Sequence, residues 1–354
     1  MARQGNKQSS QNSISIRDVA RLAGVSLGSA SRVLNGATNV TPDVRLRVEQ
    51  AVDKLGYRPN HIARSLRSRT SKTVGMMFTD LANPLYARVF KAVENRLRSA
   101  GYMPLLANSL SVAEREIELL GVFQSRAMDG VIITPGNERD PRVIAAVREL
   151  PLPAVIYDRD FDVERDCLLV EHGLALCDLV SRLIALGHRR IALVLSQSEA
   201  RPIRCRVDGF RAGFEVHRLE VPEDLILRLP SLMSPAFDAI NGVLRGPRPP
   251  TAVVSLGTNM LGDVLNAISS HRLRIPHDIS VVSLGDPDFV RSHQPRIATL
   301  RMDPEVVAEG LVSLLLERIR SPGAPPKQIL VRPEFVEGES CAVAPTSRRK
   351  RGKA

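Results

Sequence analysis

Tryptophan is absent from the 354 residues and only 4% of them are aromatic, so any core must be built chiefly from aliphatic side chains. That suits an alanine-, valine- and leucine-rich α/β protein. Cysteine is scarce as well: Cys167, Cys177, Cys205 and Cys341 are far apart and form no Cys-x-x-Cys. This spacing argues against a zinc site or a disulfide framework and fits a reducing cytosol. No apolar run is long enough to span a bilayer. The first twelve residues are polar and Gln/Ser-rich, without the apolar stretch of a secretory signal, and a cytoplasmic, nucleoid-associated protein is expected. A nucleophile-elbow pattern, a Walker loop and a His-Glu-x-x-His are all lacking, so no enzyme, metal or cofactor is expected.

What is present is positive charge, +11 in total, and it is unevenly spread. Residues 1–72 hold 13 Lys/Arg against 4 Asp/Glu, and the end of the chain, from Arg348 to Lys353, adds 5 Lys/Arg and no acid. The body between them is nearly neutral. A basic module on a neutral body is the footprint of a polyanion binder, because Lys and Arg release the counterions condensed on nucleic acid. For the last residues a solvated, disordered tail is the simpler explanation.

The basic front end carries a motif. Residues 15–35 read SIRDVARLAGVSLGSASRVLN. Ser15 and Asp18 resemble a capping box that starts a helix at Ile16, with Ile16, Val19, Ala20 and Leu22 as its apolar face and Gly24 as its end. Ser26 caps a second helix that buries Ala30, Val33 and Leu34. Thr41-Pro42-Asp43 starts a third, which turns Val44, Val48, Val52 and Leu55 to the core and stops at Gly56. Two short helices joined by a glycine turn and backed by a third make a helix-turn-helix, whose second helix can enter the major groove. Leu27, Gly28 and Ser31 fall at its exposed start and Arg32 follows. Ser26 and Ser29 suit capping or phosphate contacts, which position without specifying sequence. A capped three-helix bundle that binds nothing would show the same spacing, but the local charge favours DNA.

Next comes LGYRPNHIARSLRSRTSKT, residues 55–73. Pro59 blocks continuation of the third helix and Asn60 can cap a short new one. Ile62, Ala63 and Leu66 share a face flanked by Arg64, Arg67 and Arg69. Such a helix suits the minor groove, where an aliphatic wedge can pry apart a base step. A basic linker is the alternative.

IRDVARLAGVSLGSASRVLNG followed by LGYRPNHIARSL closely resembles the headpiece and hinge helix of LacI/GalR family repressors. The resemblance continues through NPLY (83–86), DGVIITP (129–135), YDR (157–159), LGHRRIALV (186–194), RVDGF (206–210) and IPHDISVVS (275–283). It implies that Leu27 and Gly28 occupy base-choosing positions and that Leu66 intercalates at the operator centre. Ser15, Ser26, Ser29, Ser31, Arg32, Asn35, Asn60, His61 and Ala63 are expected to complete the DNA-binding set. Gly28 lacks a side chain to read a base edge, so specificity shifts to Leu27, Ser31, Arg32 and DNA shape.

From Val74 onward, short β-rich runs (VGMMF, MPLLAN, GVIIT, AVIYD, RIALVL, AVVSL, ISVVSL) alternate with helical stretches. That pattern implies parallel sheets with helices on both faces. The resemblance makes this a two-lobed, periplasmic-binding-protein-like core. The expected division is a tail over 1–13, the helix-turn-helix over 14–59, the hinge helix and linker over 60–72, the core over 73–343, and a basic tail over 344–354. Lobe one is expected at about 73–171 and 298–328, and lobe two at about 172–297 and 329–343. A ligand belongs between the lobes at the carboxyl ends of strands. Loop residues Asp80, Asn83, Leu85, Tyr86, Asp158, Arg206, Gly257 and Asp286 are the candidate contacts, with Asp158 and Arg206 at effector positions by the resemblance. A loop cap or an ion pair with Arg159 is the alternative for Asp158.

Two departures from the family matter. Gly257-Thr258 stands where many relatives carry Asn-Asp, and Gly285 where many carry an aspartate, so the cleft is expected to lose acceptors and gain room. With Arg201, Arg204 and Arg206 close in sequence, an acidic or aromatic metabolite, such as a sugar acid or another organic acid, is expected rather than a simple neutral hexose. A homodimer on a palindromic operator is expected, because one helix-turn-helix buries little surface. The helices around Tyr86–Ala100, Ala113–Arg126 and Pro304–Ile319 are its expected interface, and nothing after Val343 shows the leucine heptads of a tetramerising coiled coil. A transporter's solute-binding protein would share the core but not the basic headpiece. His188 reads as a structural residue entering a strand.

Overall fold

The computed structural model describes residues 14–34, 36–37, 39–58, 70–230 and 234–346. Asn35, Asn60, His61, Ala63 and Leu66, and both expected tails apart from 344–346, lie outside the described residues. The chain divides into two compact units, Met1–Ser71 and Lys72–Ala354.

The first unit contains α1 (Ile16–Ala23), α2 (Leu27–Leu34) and α3 (Pro42–Leu55). Each boundary has a local cause. The Ser15 N–H donates to Asp18 Oδ2 at 3.0 Å, fixing the start of α1, while Gly24, in the left-handed region at φ 63°, ends it. Ser26 Oγ accepts the Ser29 N–H at 3.1 Å and so caps α2. Thr41 and Pro42 open α3, and Gly56 closes it at φ 61°. Val19, Ala20, Ala23, Ala30, Val33, Val48 and Ala51 form the buried centre. Leu22 is a correction: it is 44% exposed, and Ala23 takes its place in the core. With 3.6 residues per turn, positions 16, 19, 20 and 23 share one stripe, and 22 lies outside it.

The second unit has two six-stranded sheets. In chain order the elements are β1 (Thr73–Phe78), α4 (Pro84–Ser99), β2 (Met103–Asn108), α5 (Ala113–Ser125), β3 (Gly130–Ile133), α6 (Pro141–Glu149), β4 (Ala154–Tyr157) and β5 (Asp166–Val170). There follow α7 (His172–Ala185), β6 (Ile191–Ser196), α8 (Arg201–Val216), a 3₁₀ turn (Glu223–Leu225), β7 (Ile226–Leu229), α9 (Phe237–Arg245), β8 (Ala252–Leu256), α10 (Asn259–Ser270) and β9 (Ser280–Leu284). The chain ends with α11 (Phe289–Ser292), β10 (Ala298–Arg301), α12 (Pro304–Arg320), β11 (Gln328–Val331) and β12 (Glu334–Val336).

One sheet runs β11-β5-β4-β3-β1-β2 and the other β12-β10-β9-β8-β6-β7; all pairings are parallel except β10 with β12. Central strands β3, β4, β6, β8 and β9 are buried at every position, as parallel strands covered on both faces must be. The lobe crossings fall later than expected. β10 pairs with β9 in lobe two, so the return to lobe one follows Arg301 rather than Ala298. β11 pairs with β5 in lobe one, so the last crossing follows Val331 rather than Ile329. Each strand completes its ladder before a proline, Pro304 or Pro333, ends the pairing run.

His188 is fully buried, its ring between Thr251 Oγ1 (2.9 Å) and the Ala342 carbonyl (3.1 Å), which is a structural role. Among the described residues no helix is long and apolar enough to cross a membrane.

Helices α7 and α8 approach backbone to backbone. A Cβ on Gly209 would lie 2.1 Å from the Gly173 carbonyl oxygen, with no flexible side chain to yield. This contact holds the middle of α8 against the amino end of α7. Gly209→Ala is therefore expected to cost about 3 kcal/mol, while Gly242→Ala, facing open space, costs nothing or stabilises slightly. Urea unfolding of the two variants checks this, and equal midpoints would refute it.

Candidate functional site

On α2, Leu27, Gly28 and Arg32 are exposed, while Ser29 and Ser31 are half-buried. Ser15 and Ser26 are exposed and already engaged as helix-start residues. Arg32 Nε lies 3.4 Å from the Gly28 carbonyl, so the missing side chain at Gly28 leaves a helix surface along which the arginine lies. The outward face thus combines an aliphatic tip, bare backbone and one guanidinium. That can contact a thymine methyl group, pack closely and donate to a guanine or a phosphate.

The second unit encloses a cavity of about 370 Å³ between its two sheets, at the carboxyl ends of β1, β4, β6, β8 and β9. Asp80, Asn83, Leu85, Tyr86, Asp158, Arg206, Gly257 and Asp286 all line it. Their states differ greatly. Asn83 caps α4, its Oδ1 accepting the Leu85 N–H at 3.1 Å, and Asp80 Oδ1 accepts the Ala82 N–H at 2.9 Å. The Tyr86 ring stacks on Phe78 at 4.7 Å and its hydroxyl meets Thr79 and Arg159. These groups frame the wall.

Asp158 is buried in the left-handed region at φ 55°, a conformation that aspartate tolerates better than most residues. Oδ1 accepts from the Val170 N–H at 3.2 Å and from Arg201 Nη1 at 2.8 Å; Oδ2 meets His172 Nε2 at 2.8 Å. The carboxylate pairs with Arg201, not Arg159, whose guanidinium instead donates to the carbonyls of Pro135 and Asp158. Burial pushes Asp158 up, but His172, Arg159 and Arg201 outweigh it and hold the carboxyl below its ordinary range. Burial, followed by the positive charge of Arg206, pushes His172 down to about 4 against the pull of Asp158. At neutral pH the pair is therefore a carboxylate accepting from a neutral imidazole.

Asp286 is also buried and is held by Arg291, with Arg88 at 3.9 Å. Gly257 does not add room. A Cβ there would lie 2.7 Å from Ser283 Oγ and 3.1 Å from the Leu284 carbonyl oxygen, because neighbouring groups fill the space. The expected gain in room is corrected at Gly257 only; at Gly285 a Cβ would meet nothing nearer than Gly257 Cα at 3.9 Å.

Arg206 is the exception. Its guanidinium lines the cavity, yet no hydrogen bond or ion pair within 4.0 Å joins it to another described residue. Burial lowers its pKa, partly offset by Asp158, but a guanidinium stays charged. Two further cavity-lining groups are buried without a hydrogen-bond partner among the described residues, Ser196 Oγ and Arg88 Nε. Sequence reasoning missed both, along with His172, Glu138 and Asp160. Only the position of Ser196 at the end of an apolar strand run gave a signal. No group of His, Cys, Asp and Glu that could hold a metal occurs among the described residues.

Residues 15–60 match the family model described as bacterial regulatory proteins, lacI family, and residues 180–341 match a periplasmic binding protein-like domain. The chain is 29% identical over 324 residues to the ribose operon repressor of Escherichia coli (strain K12), covering 91% of this chain and 98% of the relative. It is 28% identical over 328 residues to the HTH-type transcriptional repressor PurR of Aliivibrio fischeri (strain MJ11), covering 92% and 97%. The lac repressor dimer bound to operator and the anti-inducer ONPF superposes with a TM-score of 0.81 at 25% identity, over 93% of this chain and 99% of that one. A complex of the transcriptional regulator CelR with cellobiose superposes with a TM-score of 0.69 at 25% identity, over 92% and 99%.

Because His172 has a folded pKa of about 4, below the 6.5 of a free imidazole, the unfolded chain binds more protons between those values. Its contribution therefore lowers stability as pH falls from 6.5 toward 4. Urea unfolding at pH 7 and pH 5 should show this loss, and His172→Gln should show a smaller one; identical losses would contradict the assignment.

Proposed function

This chain belongs to the LacI family of bacterial regulatory proteins and is a DNA-binding transcriptional repressor, and from that premise we propose that an acidic small molecule bound in the cleft sets its operator affinity. The observation that carries this reading is the unpaired Arg206 guanidinium. Arg206 is half-buried with its charge facing the cavity, where a ligand carboxylate can accept two hydrogen bonds from it. Asp158 and Asp286, the acids that would otherwise accept from sugar hydroxyls, are already tied to His172, Arg201 and Arg291. Ser196 and Arg88 supply further donors. The cleft thus presents one cation with no ion pair to a described residue, which a carboxylate matches better than a neutral hydroxyl does.

The DNA-reading set proposed from sequence is retained: Leu27, Gly28, Ser31 and Arg32 toward bases, Ser15, Ser26 and Ser29 toward phosphates, and Asn35, Asn60, His61, Ala63 and Leu66 beyond the described residues. Two copies would read a palindrome. For the dimer we favour the edge strand β2 over the helices expected above. Met103, Leu105 and Leu106 are exposed on it, an apolar surface that water alone covers poorly. In sedimentation the wild type should be dimeric at micromolar concentration and Leu106→Arg should be monomeric; a monomeric wild type would end this part of the proposal.

The effector reading is tested by calorimetry with gluconate and galacturonate against glucose and galactose. The acids should bind more tightly, and Arg206→Met should weaken them about 100-fold while leaving operator affinity unchanged. Tighter binding of the neutral sugars, or equal acid affinity in the variant, would overturn it.

A further inference from the structure

Helix α8 begins with Ala200 at its N-cap position, a residue with no side-chain acceptor, so its first N–H groups need partners from elsewhere. The partner comes from the other lobe. Glu138, in the loop after β3, accepts the Arg201 N–H on Oε1 at 2.7 Å and also receives Arg204 Nη1. Its second oxygen accepts the Asp160 N–H at 3.0 Å, within lobe one. The side chain is 2% exposed, so the carboxylate is almost entirely occupied by these contacts.

Around it the two lobes exchange further charges. Arg201 reaches Asp158 Oδ1 at 2.8 Å, Asp160 Oδ1 at 3.0 Å and the Val170 carbonyl at 2.8 Å. Arg204 Nη2 reaches Asp160 Oδ2 at 2.8 Å. Three carboxylates of lobe one thus hold two guanidiniums and one helix start of lobe two, and the positive end of α8 meets the excess negative charge. A longer pair, Arg88 of lobe one with Asp286 of lobe two at 3.9 Å, also bridges the lobes. None of these contacts uses Arg206.

We propose that Glu138, Asp158 and Asp160 with Arg201 and Arg204 form an ionic latch that holds the two lobes together, Glu138 serving as the cap of α8 across the cleft. Separating the lobes strips the cap from α8 and breaks the charge-assisted hydrogen bonds of Arg201 and Arg204, while Glu138 keeps only the Asp160 N–H, so the cluster favours contact between the lobes. The strength of the latch then sets how readily the lobes move apart. The inference does not depend on the acidic effector, because every group in it belongs to the chain.

Hydrogen exchange of the full-length protein without added ligand tests it. The amides of Arg201 and of Ile203–Cys205 should be protected in the wild type, and Glu138→Gln and Arg204→Met should each speed their exchange about tenfold. Protection of β1 and β6 should be unchanged, which also establishes that the variants fold. Asp160→Asn, whose carboxylate is half exposed, should give a smaller rise in the same segment. Rapid exchange of these amides in the wild type, no change in any variant, or a rise spread evenly over lobe two would overturn the latch.

Discussion

The site is organised by one shared carboxylate. Asp158 ends a lobe-one strand, is forced by the turn into a left-handed conformation, and is then claimed by His172 and Arg201. Arg206, nearby, makes no ion pair within 4.0 Å with a described residue, and its side chain lines the cavity. The buried imidazole contributes by staying neutral: it donates to the carboxylate without adding a second cation beside Arg206.

Much of this molecule is legible in its residues, for identifiable reasons. The caps at Ser15 and Ser26 and the stop at Gly24 are local devices, set by side chains within four residues of the backbone they satisfy, so the three-helix unit can be read directly. The fully buried strands are continuous apolar runs and equally visible. Eight candidate residues from distant parts of the chain line one cavity because each follows the carboxyl end of a strand or opens the next helix, where parallel α/β sheets place their ligands.

What the residues conceal is partnership. Nothing in YDRD distinguishes an aspartate that meets a ligand from one locked by an arginine more than forty positions away. Glu138 lies in a polar loop, and its role as a cap depends on an alanine in the other lobe. β5, β7, β10, β11 and β12 escape the pattern because polar or charged residues interrupt or bound their apolar runs, and β7, β11 and β12 lie at sheet edges. The filled space beside Gly257 likewise depends on Ser283 and Pro287, which only the packing of β8 against β9 brings near.

On the proposed function, a ligand in the cleft and DNA at the helix-turn-helix share one coupling free energy, and such coupling is reciprocal. The most direct measurement is the dissociation constant of the acidic ligand for the free protein and for the operator-saturated protein, beside the operator constant with and without that ligand. The account predicts that both ratios equal the same factor, about 5 to 150. Identical ligand affinity in the two states would contradict it, since a ligand that cannot distinguish them cannot regulate DNA binding.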